Sequence, residues 1–167
     1  PLVLDQGIDL KKWKPENYGK KFYGPSTLRV GLEKSRNLMT VRIAQSLGIN
    51  ELTNFSKKLN IYKDPDELLS ISLGSAETTL LNLTSAYSSF VNGGKLISPI
   101  LIDRIQDSEG NTIINNENRK CVNCDQISFT GKEFPKIEDN YKQIVSPQTA
   151  YQTISILEGV IQRGTGK

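Results

Sequence analysis

The helical spacing of apolar residues is interrupted within the segment Leu28-Arg29-Val30-Gly31-Leu32-Glu33-Lys34-Ser35-Arg36-Asn37. Leu28 and Leu32 lie one helical turn apart, which predicts a helix in the first half. The polar residues 34–37 interrupt the apolar spacing. The spacing then resumes in a second helix, and Gly48 follows it where a helix C-terminal cap is expected. The sequence therefore predicts two helices joined by a short polar turn.

Apolar periodicity predicts three further helices downstream of this turn. Asn50 is an N-cap candidate for a short helix. The clearest helical pattern begins at Ser75 and ends at Gly93. A last helix begins at Ser146-Pro147, with the serine as N-cap and the proline in the first helical position, and it closes at Gly164.

The remaining segments are predicted to be strands and loops. Residues 1–26 are interpreted as an ordered loop with its aromatic side chains turned inward. Residues 97–105 are rich in β-branched side chains, and with residues 112–114 they predict a β-hairpin. Residues 115–144 are predicted to form a surface excursion. The fold class that follows is α+β, mostly helical with a short antiparallel β element, in one domain or part of one.

Composition excludes several functional classes. Hydrophobic residues make up 37% of the 167 residues and charged residues 23%, a balance typical of a globular protein rather than a disordered chain. A net charge of +3 is too small to indicate a nucleic-acid partner. A run of about 20 apolar residues, which a membrane-spanning helix needs, does not occur in the sequence.

Histidine is absent from the chain, and this limits its chemistry. A Ser-His-Asp or Cys-His catalytic set cannot be formed within it, and neither can a histidine metal site. Acid–base chemistry must therefore use lysine, glutamate, aspartate, tyrosine or serine side chains. We predict no cofactor and no metal.

The two cysteines, Cys121 and Cys124, form a single Cys-x-x-Cys. A structural zinc site normally needs two such pairs, or one pair with histidines. Free thiols or a local disulfide are therefore the better interpretations, and an oxidising compartment favours the disulfide.

Ser35 and Asn37 are the candidate catalytic residues. A Ser-x-Asn between two helices places a hydroxyl and an amide on the same side of a turn. By itself the pattern is weak, since the pair could equally cap the helix ends by bonding to its own backbone. Its surroundings make it more specific.

Several segments around the Ser-x-Asn recur together in one protein family. They are Trp13-Lys14-Pro15-Glu16-Asn17-Tyr18, Leu28 to Asn37, Thr40-Val41-Arg42-Ile43-Ala44, Leu47-Gly48-Ile49, Ser72-Leu73-Gly74-Ser75, Thr84-Ser85-Ala86-Tyr87-Ser88, Asn92-Gly93-Gly94-Lys95 followed by Pro99, Leu157-Glu158-Gly159-Val160 and Arg163-Gly164-Thr165-Gly166. Together they resemble the transpeptidase domain of class A penicillin-binding proteins. The resemblance covers nearly the whole chain except residues 115–144.

The resemblance implies a serine acyl-transferase that acts on the D-Ala-D-Ala end of a peptidoglycan stem peptide and is acylated by β-lactam antibiotics. By carry-over, Ser35 relays a proton between the catalytic lysine and the leaving D-Ala amine, and Asn37 orients that lysine and the substrate amide. Arg36 receives no chemical role. The full-length protein is expected at the periplasmic face of the bacterial inner membrane, held by an N-terminal anchor, and is expected to be a glycosyltransferase as well.

Two motifs of the superfamily, Ser-x-x-Lys and Lys-Thr-Gly, are absent from the sequence. Residues 164–167 contain the letters of the second motif in the wrong order. We therefore expect residues 1–167 to be the central part of the domain, with Ser-x-x-Lys before residue 1, Lys-Thr-Gly after residue 167, and no activity in isolation. A β-lactamase-like hydrolase and a non-catalytic penicillin-recognising scaffold remain as alternatives.

Trp13 and Tyr18 are weaker candidates for the site. Their loop runs just ahead of the Ser35 segment, so the two rings could line the mouth of a peptide cleft. Ordinary packing of a loop is the competing interpretation.

Overall fold

The structure is a computed structural model that describes residues 1–11, 13–116, 119–124, 131 and 134–167. Its elements in chain order are strand β1 (Leu2–Asp5), strand β2 (Gly24–Thr27), helix α1 (Leu28–Glu33), helix α2 (Asn37–Leu47), helix α3 (Ile49–Lys58), a 3-10 helix (Leu69–Leu73), helix α4 (Leu80–Val91), strands β3 (Arg104–Gln106), β4 (Thr112–Asn115), β5 (Cys121–Val122) and β6 (Lys136–Ile137), and helix α5 (Pro147–Gln162). The strands form three separate antiparallel pairs, β1 with β2, β3 with β4 and β5 with β6.

Helix α2 lies at the centre of the packing. Its side chains Leu38, Met39 and Val41 are almost completely buried, and the helix contacts α1, α3, β1 and the 3-10 helix. Gly31 of α1 allows the close approach of α2, because a Cβ there would lie 2.6 Å from Met39 Cε. Helix α5 packs against both α1 and α4. The turn between α1 and α2 thus joins a helix that packs against α5 to the buried central helix.

Several predictions are confirmed. The two helices flanking the Ser-x-Asn turn are α1 and α2, and Gly48 ends the second. Helix α5 begins as predicted, with the Ser146 hydroxyl accepting a hydrogen bond from the Thr149 backbone N–H at 3.2 Å. The hairpin is present as β3 and β4, although its first strand is shorter than expected. Pro99 lies in the residues that do not join that strand, and proline has no N–H to donate to a ladder.

The predicted starts of two helices are wrong. Helix α4 begins at Leu80, where the Thr79 hydroxyl caps the Asn82 N–H at 3.1 Å; the Ser75 hydroxyl is bonded instead to the hydroxyl of Ser70 at 3.0 Å. Helix α3 begins at Ile49, directly after Gly48, rather than at Asn50. The N-cap residues in the structure are Thr79 for α4 and Gly48 for α3, so both helices begin at other residues than the sequence predicted.

The interpretation of residues 1–26 as a loop with inward aromatic rings is also wrong. The segment contains the antiparallel pair β1 and β2, with Leu2 opposite Thr27 and Asp5 opposite Gly24. Tyr18 is fully exposed and Tyr23 is half exposed. The buried residue of this hairpin is the carboxylate Asp5, which the alternation of apolar residues does not indicate.

Candidate active site at the Ser35 turn

The α1–α2 turn places Ser35 in a left-handed backbone conformation. The Arg36 N–H donates to Gly31 O at 2.8 Å and the Ser35 N–H donates to Leu32 O at 3.1 Å, the two hydrogen bonds of a Schellman motif. Ser35 occupies the position where glycine is usual, with φ of +50°. A non-glycine residue there costs about 1–3 kcal/mol, and such strain is concentrated at functional sites.

Both candidate side chains bond to distant segments. The Ser35 hydroxyl is exposed and lies 3.0 Å from the Thr165 hydroxyl. The Asn37 side-chain amide donates to the backbone carbonyl of Glu16 at 2.9 Å. Helix α2 has no side-chain hydrogen bond at its N-cap residue, Arg36. Within the described part of the chain, the pair therefore does not act as a cap for its own backbone.

Arg36, which received no role from the sequence, connects the turn to strand β1. Its guanidinium donates to Asp5 Oδ2 at 2.7 Å and stacks on the ring of Tyr23. The fully buried Asp5 also accepts from the side-chain amide of Asn17 at 2.7 Å, and Asn17 Oδ1 accepts from the Leu38 N–H at 3.3 Å. This network joins β1, the 13–20 loop and the start of α2. Removing one partner of such a buried pair typically costs about 3–5 kcal/mol.

Glu33, the last residue of α1, forms a second charged network beside the turn. Its buried carboxylate accepts from Arg163 Nη2 at 2.6 Å and from Arg29 Nη1 at 3.3 Å. The hydrogen bond from Arg163 is the main cause that lowers the pKa of Glu33 below its ordinary value, although burial opposes it. The same pairing raises the pKa of Arg163. Glu33 is therefore ionised at neutral pH and ties α1 to the end of α5.

The segment after α5 lies directly against the turn. The Thr165 N–H donates to Glu33 O at 3.1 Å, and the Lys34 ammonium donates to Arg163 O. A Cβ on Gly164 would lie 2.1 Å from Glu33 O and 2.7 Å from Val160 O, so only glycine fits there. These contacts bring Thr165 to Ser35.

The sequence indicated Gly164 as a helix terminator but not as a point of close approach. The available signal was the run Arg163-Gly164-Thr165-Gly166, a charged residue followed by small ones directly after a helix. It does not identify the partner, because Glu33 is 130 residues away from Arg163.

The 13–20 loop reaches the turn through polar groups rather than through its aromatic rings. The Glu16 carbonyl and the Asn17 side chain contact Asn37 and Leu38. Trp13 is half-buried and bridges to Leu10, while Tyr18 is fully exposed. Neither ring takes part in the contacts that the described residues of this loop make with the turn, and a place for Trp13 and Tyr18 at a cleft mouth stays a prediction.

Residues 117, 118, 125–130, 132 and 133 of the 115–144 segment are outside the described ranges. The sulfur atoms of Cys121 and Cys124 are joined as a disulfide. Its last residues are fastened to the end of α4, where Lys95 pairs with Asp139 and thereby lowers the pKa of that carboxyl. The described residues between positions 120 and 143 are exposed.

One cavity of the described structure is lined by neither Ser35 nor Asn37. Helices α1, α3, α4 and α5 line this open groove of about 650 Å³, and its polar groups are hydroxyls and backbone atoms. It offers neither a carboxylate nor an amine for acid–base chemistry. The described ranges also hold no cluster of three or more potential metal ligands, and none of their helices combines the length and apolar character needed to cross a bilayer.

Comparison with known proteins decides the family. The family described as the penicillin binding protein transpeptidase domain matches residues 3–167. The chain belongs to this family. The class resemblance and the α+β fold predicted from the sequence are thereby confirmed.

Individual relatives agree with this assignment. Penicillin-binding protein 1A of Rickettsia bellii is 39% identical over 168 residues, covering 99% of this chain and 21% of that protein. Penicillin-binding protein 1A of Pseudomonas aeruginosa is 29% identical over 198 residues, covering 100% of this chain and 24% of that protein. The chain thus spans about a fifth to a quarter of the length of these relatives.

Solved structures support the same fold. The crystal structure of penicillin-binding protein 1A from Haemophilus influenzae matches with a TM-score of 0.78 and 28% identity, over 99% of this chain and 27% of that one. The D,D-transpeptidase domain from Eggerthella lenta matches with a TM-score of 0.69 at 18% identity, over 98% of this chain and 43% of that one, which shows a shared fold.

Proposed function

We propose that this transpeptidase chain supplies the Ser-x-Asn edge of a cleft in which stem peptides of peptidoglycan are cross-linked through a serine acyl-enzyme. The observation that carries the proposal is the presentation of Ser35 and Asn37 on one strained turn, held in place by two charged networks whose carboxylates, Asp5 and Glu33, are buried. Strain combined with rigid support is typical of a functional site.

The proposed chemistry uses a nucleophilic serine and a lysine from another segment of the full-length polypeptide, because this sequence contains no Ser-x-x-Lys and no Lys-Thr-Gly. The serine oxygen adds to the carbonyl carbon of the penultimate D-Ala while the lysine takes its proton. Ser35 passes a proton from the lysine to the nitrogen of the terminal D-Ala as that C–N bond breaks. An amine of a second stem peptide then attacks the ester carbonyl carbon and loses a proton to the lysine. The acyl C–O bond breaks, and the lysine returns the proton to the serine oxygen.

Asn37 has the complementary role of orienting groups. Its side-chain amide offers both a donor and an acceptor, which suits the lysine and a backbone amide of the substrate. The bond to Glu16 O fixes the amide plane and directs the oxygen away from that carbonyl. Histidine is not needed for any step, in agreement with its absence.

The setting of the whole protein is part of the proposal. We place the domain at the periplasmic face of the inner membrane, anchored by another segment, in a polypeptide that also carries glycosyltransferase activity. β-Lactams would acylate the same serine. The isolated chain would be inactive.

The test is acylation of the full-length polypeptide by a fluorescent penicillin, comparing wild type with Asn37→Ala. We expect the acylation rate to fall by about 100-fold, the size of effect that misplacing a reacting group produces. Asn54→Ala, on the exposed surface of α3, is the matched control and is expected to label normally. Normal labelling of a folded Asn37→Ala protein would contradict the proposed role.

Two further outcomes separate the alternatives. Rapid turnover of a chromogenic cephalosporin by the full-length protein would favour a β-lactamase-like hydrolase. A complete gene without Ser-x-x-Lys would favour a scaffold. Covalent, stoichiometric labelling of the isolated chain would contradict its predicted inactivity.

The same periplasmic setting would keep Cys121 and Cys124 oxidised. Alkylation followed by intact-mass measurement tests this. We expect no alkyl adducts before reduction and two afterwards, and two adducts without reduction would contradict the disulfide.

A further inference from the structure

We infer that Thr165 is a positioning residue for the Ser35 hydroxyl, an inference that rests on the proposed function. The two hydroxyl oxygens lie 3.0 Å apart, although the residues are 130 positions apart in the chain. The motifs Ser-x-x-Lys, Ser-x-Asn and Lys-Thr-Gly do not include this threonine. The structure thus links the segment after α5 directly to the group that is to carry the proton.

The backbone of Ser35 leaves one relevant degree of freedom. The Schellman hydrogen bonds and the φ of +50° fix the direction of its Cα–Cβ bond. Rotation about that bond then determines which of three staggered positions the oxygen takes. The contact with Thr165 selects the position in which the oxygen faces the 163–165 segment.

Thr165 can perform this selection because its own position is determined. Its N–H donates to Glu33 O at 3.1 Å, and the flanking Gly164 and Gly166 N–H groups both donate to Val160 O at 3.1 Å. The lack of space for a side chain at Gly164 keeps the segment pressed against the turn. The residues next to these contacts, Glu33 and Arg163, are themselves paired, with Arg163 Nη2 donating to Glu33 Oε1 at 2.6 Å.

The chemistry of the contact suits a proton relay. Either hydroxyl can be the donor. When Thr165 donates, the proton of Ser35 is free to point to a third group, and the Ser35 oxygen keeps a hydrogen bond while it gives that proton away. The χ1 rotamer of threonine is also more restricted than that of serine, since its β-carbon is branched.

The test measures penicillin acylation of the full-length polypeptide for four proteins. They are wild type, Thr165→Val, Thr165→Ser and Thr153→Val. Valine retains the branched shape and the backbone N–H but removes the hydroxyl, and serine keeps the hydroxyl. Thr153 is the matched control, because its hydroxyl bonds within α5 to Thr149 O.

We expect Thr165→Val to lower the acylation rate about tenfold or more, within the range for misplacement of a reacting group. Thr165→Ser should restore most of the rate and Thr153→Val should retain it. All four melting temperatures should agree within a few degrees. The pH dependence of acylation should change in Thr165→Val alone, because a purely structural contact would not alter the relay.

The measurements distinguish failure of the Thr165 inference from failure of the proposed function. If wild type is acylated and Thr165→Val is acylated equally fast, the inference is wrong while the proposed function stands. Equal losses in the valine and serine variants, or a loss that follows melting temperature, would also overturn it by indicating a structural role. If wild type is not acylated at all, the proposed function fails and the inference fails with it.

Discussion

The α1–α2 turn and the β3–β4 hairpin are both short polar connections, yet they are built in opposite ways. At the turn, Glu33 is buried and its partners include Arg163, 130 residues away. At the hairpin, every strand residue is exposed, and Asp107 bonds to Asn111 only four residues away. That local bonding is also the main cause that lowers the pKa of Asp107.

The difference shows which polar contacts connect segments that are distant in the sequence. In the hairpin, the polar contacts close a loop and would form in an isolated peptide of the same sequence. At the turn they connect β1, α1, α2 and the segment after α5, so that a change in one segment is transmitted to the others. Substitutions at the turn should therefore affect both stability and acylation, whereas those in the hairpin should affect neither strongly.

Gly164→Ala should produce the largest effect. The added methyl would meet the Glu33 and Val160 backbones, neither of which can move as a flexible side chain does. We expect a loss of about 3 kcal/mol in the free energy of unfolding, at the upper end for overpacking, together with at least tenfold slower acylation. Denaturant unfolding of the domain and penicillin labelling of the full-length protein measure the two.

Gly19→Ala is the control, because a methyl there meets nothing within 4 Å. It should change stability by no more than about 0.5 kcal/mol. Equal stabilities of the two alanine variants would mean that the 163–165 segment is not pressed against the turn.

Glu33→Gln should rank second and should show its effect through pH. The folded-state pKa of Glu33 lies below its ordinary value of 4.5, so its stabilising contribution is present above that value and is lost as pH falls through the folded-state pKa. Near neutral pH the variant should melt several degrees below wild type. As pH falls below the folded-state pKa of Glu33, the melting temperatures of the two proteins should converge.

The measurement is melting temperature against pH for Glu33→Gln and for Glu77→Gln, an exposed glutamate ahead of α4. The Glu77 variant should follow wild type throughout. A constant gap between Glu33→Gln and wild type at all pH values would show that the charge of Glu33 contributes nothing.

Ser35→Gly should separate stability from activity. Glycine relieves the left-handed backbone strain at residue 35, and this relief should raise the free energy of unfolding by about 1 kcal/mol. The loss of the exposed hydrogen bond to Thr165 should reduce that gain slightly. Acylation should fall because the hydroxyl is gone. Ser35→Ala should lose acylation equally but without the gain in stability.

Comparing Ser35→Gly with Ser35→Ala isolates the backbone effect, because neither variant has the hydroxyl. Urea unfolding and penicillin labelling are the two measurements. Retained acylation in Ser35→Gly would refute a proton-relay role for Ser35.

Ile113→Thr in β4 should have the smallest effect. The side chain is 65% exposed in a strand with no buried residue, and threonine is well tolerated in strands. We expect a change within about 0.5 kcal/mol in stability and unchanged acylation. A larger loss would show that the hairpin is packed against something in the full-length protein.

Sequence reasoning succeeded where the determining contacts are local. The α1–α2–α5 helices, the Ser146-Pro147 start and the Gly48 end depend on periodicity and capping within a few residues. It failed at Ser75 and Asn50 because several residues of suitable type compete for one capping position, and packing selects among them. It also missed β1 and β2, since strands of four residues with one buried carboxylate show little alternation.

The site was half predictable for the same reason. Ser35 and Asn37 stand two residues apart, so their common turn can be read from the chain itself. Arg36 and Glu33 gave no signal, because the partners that define their roles, Asp5 and Arg163, lie 31 and 130 residues away.

By itself, the amino-acid sequence determined the helices around the turn, the α+β class, the exclusion of histidine chemistry and the family to which the chain belongs. The tertiary structure alone decided that Ser35 adopts a left-handed conformation, that Glu33 is buried between two arginines and that Thr165 meets Ser35. The physical reason is the distance along the sequence over which each kind of interaction acts. Helix periodicity and capping act over a few residues, whereas burial of a charge and the meeting of two hydroxyls depend on segments that only folding brings together.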